Sequence, residues 1–559
     1  MSLKDTNPWA LYYEDDAYTI SGSRIMGRQA AGNSLLKAFA RSDYTNIGVY
    51  ASNPQSLDSF NNEFRQLIPS QSKKSISYIP WGNPSLLSNF GGLYYPAPDI
   101  SRFINQRFFN QANSYSVVGI THTTASQNAI DSILDCYTTQ LMPWDALICT
   151  SKSVKNSIDN LYQQYSEILK NRIGATKMPN FELPIIPLGV HTEDYNFSKQ
   201  EKDQSRQMLG IKSEDIVILF LGRLSFHAKA HHVPMYIALE KVKKSLPKNV
   251  NLHLIQTGWF PNDTIEKIYK EESKILCPSI QCHFLDGRDV KAKRVSFSSS
   301  DIFISLVDNF QETFGLTPLE GMSAGLPVIV SDWNGYKDTV RDGLDGFKIP
   351  TTTLQEGSGY DLALRHNLGI DTYDHYIGRA SQTVSVNIKE TYKKILELCL
   401  NKDLRIKMGE SAKERSKDYN WQKILLMYQD LKNELDAKRT KSAESNEIFL
   451  EPISIQDPYT FFNDYSSFKI NDETIIEVND KLNTMKIDDF YKLSSISFLD
   501  KIAPEVDEIK KIHNFILNSN HCLISDIESA FEFNYNEIFK TIIWLSKYGY
   551  INIKEKINE

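Results

Sequence analysis

Two series of short, unbroken apolar runs, spaced by helical patterns, constrain this chain more than any other feature. The second series holds "DIVILFLGR" (215–223), "NLHLIQTG" (251–258), "IQCHFLDG" (280–287), "DIFISLV" (301–307) and "LPVIVSD" (326–332). The first holds "NIGVYAS" (46–52), "GGLYYP" (91–96), "SVVGITH" (116–122), "DALICTS" (145–151) and "PIIPLGV" (184–190). Helical stretches such as 29–41 and 124–140 lie between them. Strands apolar on both faces belong to parallel sheets covered by helices on each side. Two series predict two doubly wound α/β domains, with the ligand in a cleft facing the carboxyl ends of the strands.

Beyond these series, "DYNWQKILLMYQDLKNEL" (418–435) carries an apolar helical stripe of Trp421, Leu425, Tyr428 and Leu431. The polar stretch "DAKRTKSAESNE" (436–447) has no apolar periodicity and reads as part of a linker over 437–455. The remainder, 456–559, reads as an accessory, mostly helical domain. Three helices (506–519, 524–531, 536–549) followed by the strand-like "YINI" (550–553) resemble a winged helix. Its third helix has only Lys540 and Lys547, and acids outnumber bases from residue 501 onward. A packing or protein-contact module is expected there, since nucleic acid demands clustered cations. The net charge of −7 argues the same for the whole chain of 559 residues.

An apolar content of 41% with 23% charged residues describes a globular protein. The six cysteines are scattered, and Cys277 and Cys282, the closest pair, have no second pair to complete a zinc site. Reduced thiols in a cytoplasmic protein are the simplest reading. The longest apolar runs are strand-sized, and the first twenty residues lack the layout of a signal peptide.

The stretch "QETFGLTPLEGMSAGLPVIVSD" (311–332) carries the chemistry. Thr317, Pro318 and Glu320 have the form of an N-cap, a first helical residue and a capping-box glutamate, predicting a helix over 318–324 after a loop with Glu312. Glu320 then either ties off the helix start or meets a ligand. Gly315 allows close approach, and the amides after it favour an anion. Two carboxylates flanking an anion-seeking helix end suit a ligand with hydroxyls on either side of its phosphates, as in a nucleotide-sugar.

Extended to "QETFGLTPLEGMSAGLPVIVSDWNGYKDTVRDGLDGF", this stretch resembles the hallmark segment of retaining glycosyltransferases of family 4, in the glycosyl transferases group 1, which have the GT-B fold. "FLGRL" (220–224) with Lys229, "PIIPLGVHTEDYNF" (184–197) and "RIKMGESAKERSKDYNWQKI" (405–424) resemble further elements of that family in the same order. The resemblance covers residues from roughly 10 to 435. It implies an acceptor-side domain over 1–200, a nucleotide-sugar-binding domain over 201–415 and a crossover helix over 416–436.

Residue by residue, the resemblance implies that Glu320 binds the donor ribose and Glu312 the hexose. The amides of Gly315, Leu316 and Thr317 would meet the diphosphate or the sugar, and Arg223 and Lys229 would stabilise the departing phosphate. His122 would line the acceptor side, with a buried structural histidine as the competing view. Gly27 would allow the chain near the donor phosphates, and Arg28 would pair with one. Three departures stand out. Lys229 follows Arg223 by six residues instead of five, the loop before Arg28 lacks two adjacent glycines, and His191 replaces an aspartate. His227, His231 and His232 have no acidic or cysteine companion nearby in sequence, so no metal site is expected.

The implied activity is retaining hexosyl transfer from a UDP- or GDP-sugar co-substrate, without a metal or other cofactor. The acceptor would be a sugar, glycolipid or glycoprotein, in polysaccharide biosynthesis, with peripheral contact at the inner membrane surface. Alternatives are an epimerase or phosphorylase of the same architecture, or a non-catalytic scaffold binding partners through its C-terminal domain.

Overall fold

The computed structural model describes residues 7–20, 27–69, 74–107, 111–442, 457–479, 482–498 and 503–554. By contact, the chain divides into two compact units, Met1–Pro452 and Ile453–Glu559.

The first unit contains two six-stranded parallel sheets, as the apolar runs predict. One is built from β1 (Ala10–Tyr12), β2 (Asn46–Ala51), β3 (Ser75–Pro80), β4 (Gly92–Tyr94), β5 (Ser116–Ile120) and β6 (Ala146–Ile148), in the order β3-β2-β1-β4-β5-β6. The other comprises β7 (Ile216–Leu221), β8 (Leu252–Gly258), β9 (Gln281–Asp286), β10 (Ile302–Ser305), β11 (Val328–Ser331) and β12 (Gly346–Ile349), in the order β12-β11-β10-β7-β8-β9. All six residues of β7 are buried, and Ile218 sits in register between Ile302 and Leu254. An "IVILFL" run has no polar face to offer water, so it takes a central place with helices above and below. In each sheet the strand order reverses once, between β1 and β4 and between β7 and β10. Chains leaving two such strands diverge and leave a crevice at their carboxyl ends.

Several elements differ from the sequence reading. "PIIPLGV" (184–190) forms only isolated bridges, Ile185 with Cys149 and Val190 with Asn420. It is the connector between the sheets, and its Ile186, Leu188 and Val190 are buried in a core cluster that includes residues of both. Strands β1, β3 and β12 were absent from the expected set. Each is short or polar at its ends, and β1 is central only because later strands flank it on both sides. A ribbon of β13 (Thr351–Thr352) and β14 (Ser385–Val386) follows the second sheet. The helix expected over 416–436 spans Trp421–Ser442, so residues 437–442 are helix instead of linker. The rest of that linker, 443–455, lies outside the described residues.

This helix packs against elements of the first sheet's domain. Trp421 donates from Nε1 to Ser34 Oγ at 2.7 Å, and Tyr428 packs its ring near Trp9 and Tyr94. Gly189 is required at the crossing, because a Cβ there would stand 2.3 Å from the Trp421 ring.

In the second unit, helices Val506–Ser519, Ile524–Ala530 and Tyr535–Lys547 pack on an antiparallel sheet of β15 (Ile475–Val478), β16 (His521–Leu523) and β17 (Ile551–Lys554), in the order β16-β15-β17. Ile476, Ile509, Ile512, Ile542 and Leu545 are buried in its core. The central strand β15 comes from upstream of the three helices, which the linear pattern does not reveal.

Candidate active site

The carboxyl ends of the two sheets border a cleft of about 720 Å³. Glu312, Arg223, Lys229, His122, Glu320, Gly315, Leu316, Thr317, Gly27 and Arg28 all line it.

The helix at its floor runs Leu316–Ser323 and starts differently from the sequence reading. Gly315 is its N-cap, at φ 86°, and no side chain caps the helix. Thr317 therefore lies inside the helix, and the capping box with Glu320 does not form. The positive φ suits glycine alone, and a Cβ on Gly315 would fall 1.9 Å from Tyr336 Cε1. Tyr336 is buried and its hydroxyl lies 2.9 Å from Ser305 Oγ, so the ring has little room to give. Gly315→Ala is expected to introduce roughly 1–3 kcal/mol of strain. Thermal melting should register this as a fall of about 2–4 °C per kcal/mol for a domain of this size, and an unchanged melting temperature would refute the geometry.

Released from capping, Glu320 has other partners. Its Oε1 accepts from the Tyr195 hydroxyl at 2.7 Å and from Lys293 Nζ at 2.8 Å. Its Oε2 is buried without a hydrogen-bond partner.

The cationic side of the cleft follows β7. Arg223 is the second residue after that strand, and its Nη2 donates to the carbonyl of Ala228 at 2.7 Å. Gln311 Nε2 donates to the same carbonyl at 3.0 Å. The chain between makes a helical turn in which Lys229 N bonds to Ser225 O at 3.0 Å. This turn absorbs the extra residue before Lys229, whose ammonium forms an ion pair with Glu312. Burial alone would lower the Lys229 pKa, but Glu312 together with Tyr336 outweighs it and raises the value. Burial lowers the Arg223 pKa, yet a guanidinium stays charged in any protein environment.

The three histidines of this loop serve other contacts. His232 Nε2 lies 2.5 Å from Glu272 Oε2, while His231 caps the following helix by accepting from Val233 N. The described residues contain no group of three or more metal-ligating side chains.

From the first domain, His122 follows β5 and its Nε2 lies 3.0 Å from the carbonyl of Pro96. Burial pushes its pKa down to about 4, so the ring is neutral at physiological pH. A neutral ring facing a carbonyl carries its proton on that nitrogen, which leaves Nδ1 as an acceptor. The His122 carbonyl accepts from Thr313 Oγ1, and Ser151 Oγ donates to the Thr313 carbonyl at 2.8 Å. These bonds join the two domains beside the cleft. Gly27 begins the helix Gly27–Arg41, and a Cβ there would meet open space, so no contact demands glycine at that position. Arg28 pairs with Asp16 at the exposed rim. The residues just before Gly27 lie outside the described part of the chain.

Sequence reasoning missed Tyr195, Lys293, Gln311, Trp259 and Arg288, which either line the cleft or hold its carboxylates. A signal existed for two of them. Gly222-Arg223, Gly258-Trp259 and Gly287-Arg288 each stand at the end of adjacent parallel strands, and a Cβ on Gly258 would come within 1.9 Å of the Gly222 carbonyl. Glycine at three successive strand ends marks a surface kept bare of side chains.

The chain is similar to several known proteins. An uncharacterized glycosyltransferase of Methanocaldococcus jannaschii is 26% identical over 298 residues, covering 52% of this chain and 60% of the relative. A second uncharacterized glycosyltransferase from that organism is 22% identical over 258 residues, covering 43% and 59%. The chain thus spans about three-fifths of the length of these relatives. A crystal structure of HepE from Anabaena in complex with UDP and glucose aligns with 77% of this chain and 100% of its own, at 13% identity and a TM-score of 0.46. Residues 201–358, which include Glu312, Glu320, Arg223 and Lys229, match the family model of glycosyl transferases group 1.

Proposed function

We propose that this protein transfers a hexosyl group from a UDP- or GDP-sugar to a sugar, lipid-linked or protein acceptor, with retention of configuration and without a metal ion. The observation that carries the reading is the convergence of Glu312, Glu320, Arg223 and Lys229 on one cleft between two doubly wound domains. The curated relatives named as glycosyltransferases support glycosyl transfer as the reaction class.

Each group has work suited to its surroundings. Glu320 receives the ribose hydroxyls on its unpartnered oxygen. Glu312, already beside Lys229, orients the hexose through its hydroxyls. Cleavage of the sugar–phosphate bond leaves a nucleoside diphosphate with added negative charge, and Arg223 and Lys229 stabilise that charge where it develops. The acceptor attacks from the side of the departing phosphate, which takes the acceptor proton, so the configuration is kept. The neutral His122 accepts a hydroxyl hydrogen bond on the acceptor side. Closure of the domains holds the reactants together and excludes water. A glycolipid acceptor would bring the enzyme to the inner membrane surface as a peripheral protein.

The first test is thermal stabilisation by a panel of nucleoside diphosphates, since a ligand that binds only the native state raises its melting temperature. At least one of UDP and GDP should stabilise the protein. Glu320→Ala is expected to weaken that nucleotide about tenfold or more, the worth of hydrogen bonds to a shielded carboxylate. Stabilisation that survives this change undiminished would remove Glu320 from the site.

A further inference from the structure

On the donor reading above, we propose that Tyr195 and Lys293 are positioning residues that hold Glu320 by one carboxylate oxygen and so present the other to the vicinal hydroxyls of a ribonucleoside diphosphate.

The observation is an asymmetry. The Glu320 side chain is only 14% exposed. A carboxylate so shielded from water demands partners for its charge. Oε1 has two, the Tyr195 hydroxyl and the Lys293 ammonium, while Oε2 is buried with none. One oxygen is saturated, and the other is an unmet acceptor, shielded from solvent, on a residue that lines the cleft. A phosphate cannot approach this acceptor, because it brings like charge and no proton. A neutral hydroxyl donor can.

Both anchors are themselves secured. Lys293 projects from the helix Val290–Ser299. The Tyr195 ring meets the buried Phe297 edge-on, with centroids 5.1 Å apart. Burial and the neighbouring Glu320 raise the Tyr195 pKa well above its ordinary value, so its hydroxyl remains a donor. Tyr195 ends the turn Thr192–Tyr195 in the connector between the domains. The same turn is tied to the first domain, with Arg41 donating to Glu193 at 2.6 Å and Lys37 pairing with Asp194. Both cations belong to the helix Gly27–Arg41, whose first turn lines the cleft. Glu320 is therefore oriented by a segment seated against the opposite domain.

The test measures calorimetric affinities of the full chain for UDP, GDP and their 2′-deoxy forms, before and after Tyr195→Phe. The unsubstituted protein should bind one ribonucleotide about tenfold or more tightly than its deoxy form. Tyr195→Phe, which removes only the hydroxyl, should reduce that ratio to about two- or threefold while leaving the deoxy affinity within about twofold. Lys293→Gln should reduce it likewise. An unchanged ratio overturns the proposal, as does an equal loss for both nucleotides, which marks a purely structural tyrosine. A native protein that binds nucleotide without preferring ribose refutes the assignment of Glu320 to the sugar hydroxyls. One that binds neither UDP nor GDP removes the donor reading and this inference with it.

Discussion

Arg223→Ala is expected to lower turnover by about 10²–10³-fold, the usual loss when one donor aimed at developing charge is removed. Nucleoside-diphosphate affinity should fall by less than about tenfold, because a preorganised charge counts most where negative charge appears in the transition state. Arg223 leaves the end of β7 at the reversal of strand order, and its guanidinium is braced by the Ala228 carbonyl. The Ala228 carbonyl is held in turn by Gln311, so the cation keeps its place before substrate arrives. Arg223→Lys should restore only part of the activity, since an ammonium has the charge but not the planar fork. Steady-state kinetics alongside calorimetric nucleotide binding separates the effects. Equal losses in turnover and affinity would refute a role confined to the departing phosphate.

Asp145→Ala should produce the largest loss of stability, about 3–5 kcal/mol, because it strands a buried cation. Arg107 and Asp145 are both fully buried. Their two bonds measure 2.6 and 2.8 Å, a bidentate pairing of fork and carboxylate. Asp145 also accepts from the amides of Val117 and Met142, each at 2.8 Å, and Arg107 donates to the Tyr115 carbonyl. The pair thus ties β5 to the entrance of β6. Removing the carboxylate strips two amides of their acceptor and leaves the buried guanidinium with the Tyr115 carbonyl but no counter-charge. For a domain of about 200 residues, the melting transition of the first domain should fall by roughly ten degrees. A shift under about two degrees would mean that water reaches Arg107. Arg107→Met with Asp145→Leu should recover much of the loss, because apolar groups of similar volume replace a buried ion pair at little cost.

Much of this architecture was legible in the chain. The run "IVILFL" names a central parallel strand, since no face of it tolerates water. The two glutamates and Gly315 stand on one short helix and the loop before it, so local spacing grouped them, whereas Arg223, 89 positions before Glu312, was joined to them by the family resemblance. "PIIPLGV" misled because apolar density is shared by strands and by connectors wedged between domains. The capping box misled because Thr317 and Glu320 have the right spacing, but the turn at Gly315 starts the helix earlier.

What the sequence by itself determined is therefore the local set: two parallel sheets, a glycine-led helix at one strand end, and a charged group at another. Tertiary structure alone decided which oxygen of Glu320 is engaged and how the extra residue before Lys229 is folded away. Tyr195 lies 125 positions from Glu320 and Lys293 lies 27 away. The physical reason is range. Periodicity and turn chemistry act within a few residues, whereas a hydrogen bond between distant elements exists only once packing has fixed the distance and angle between them.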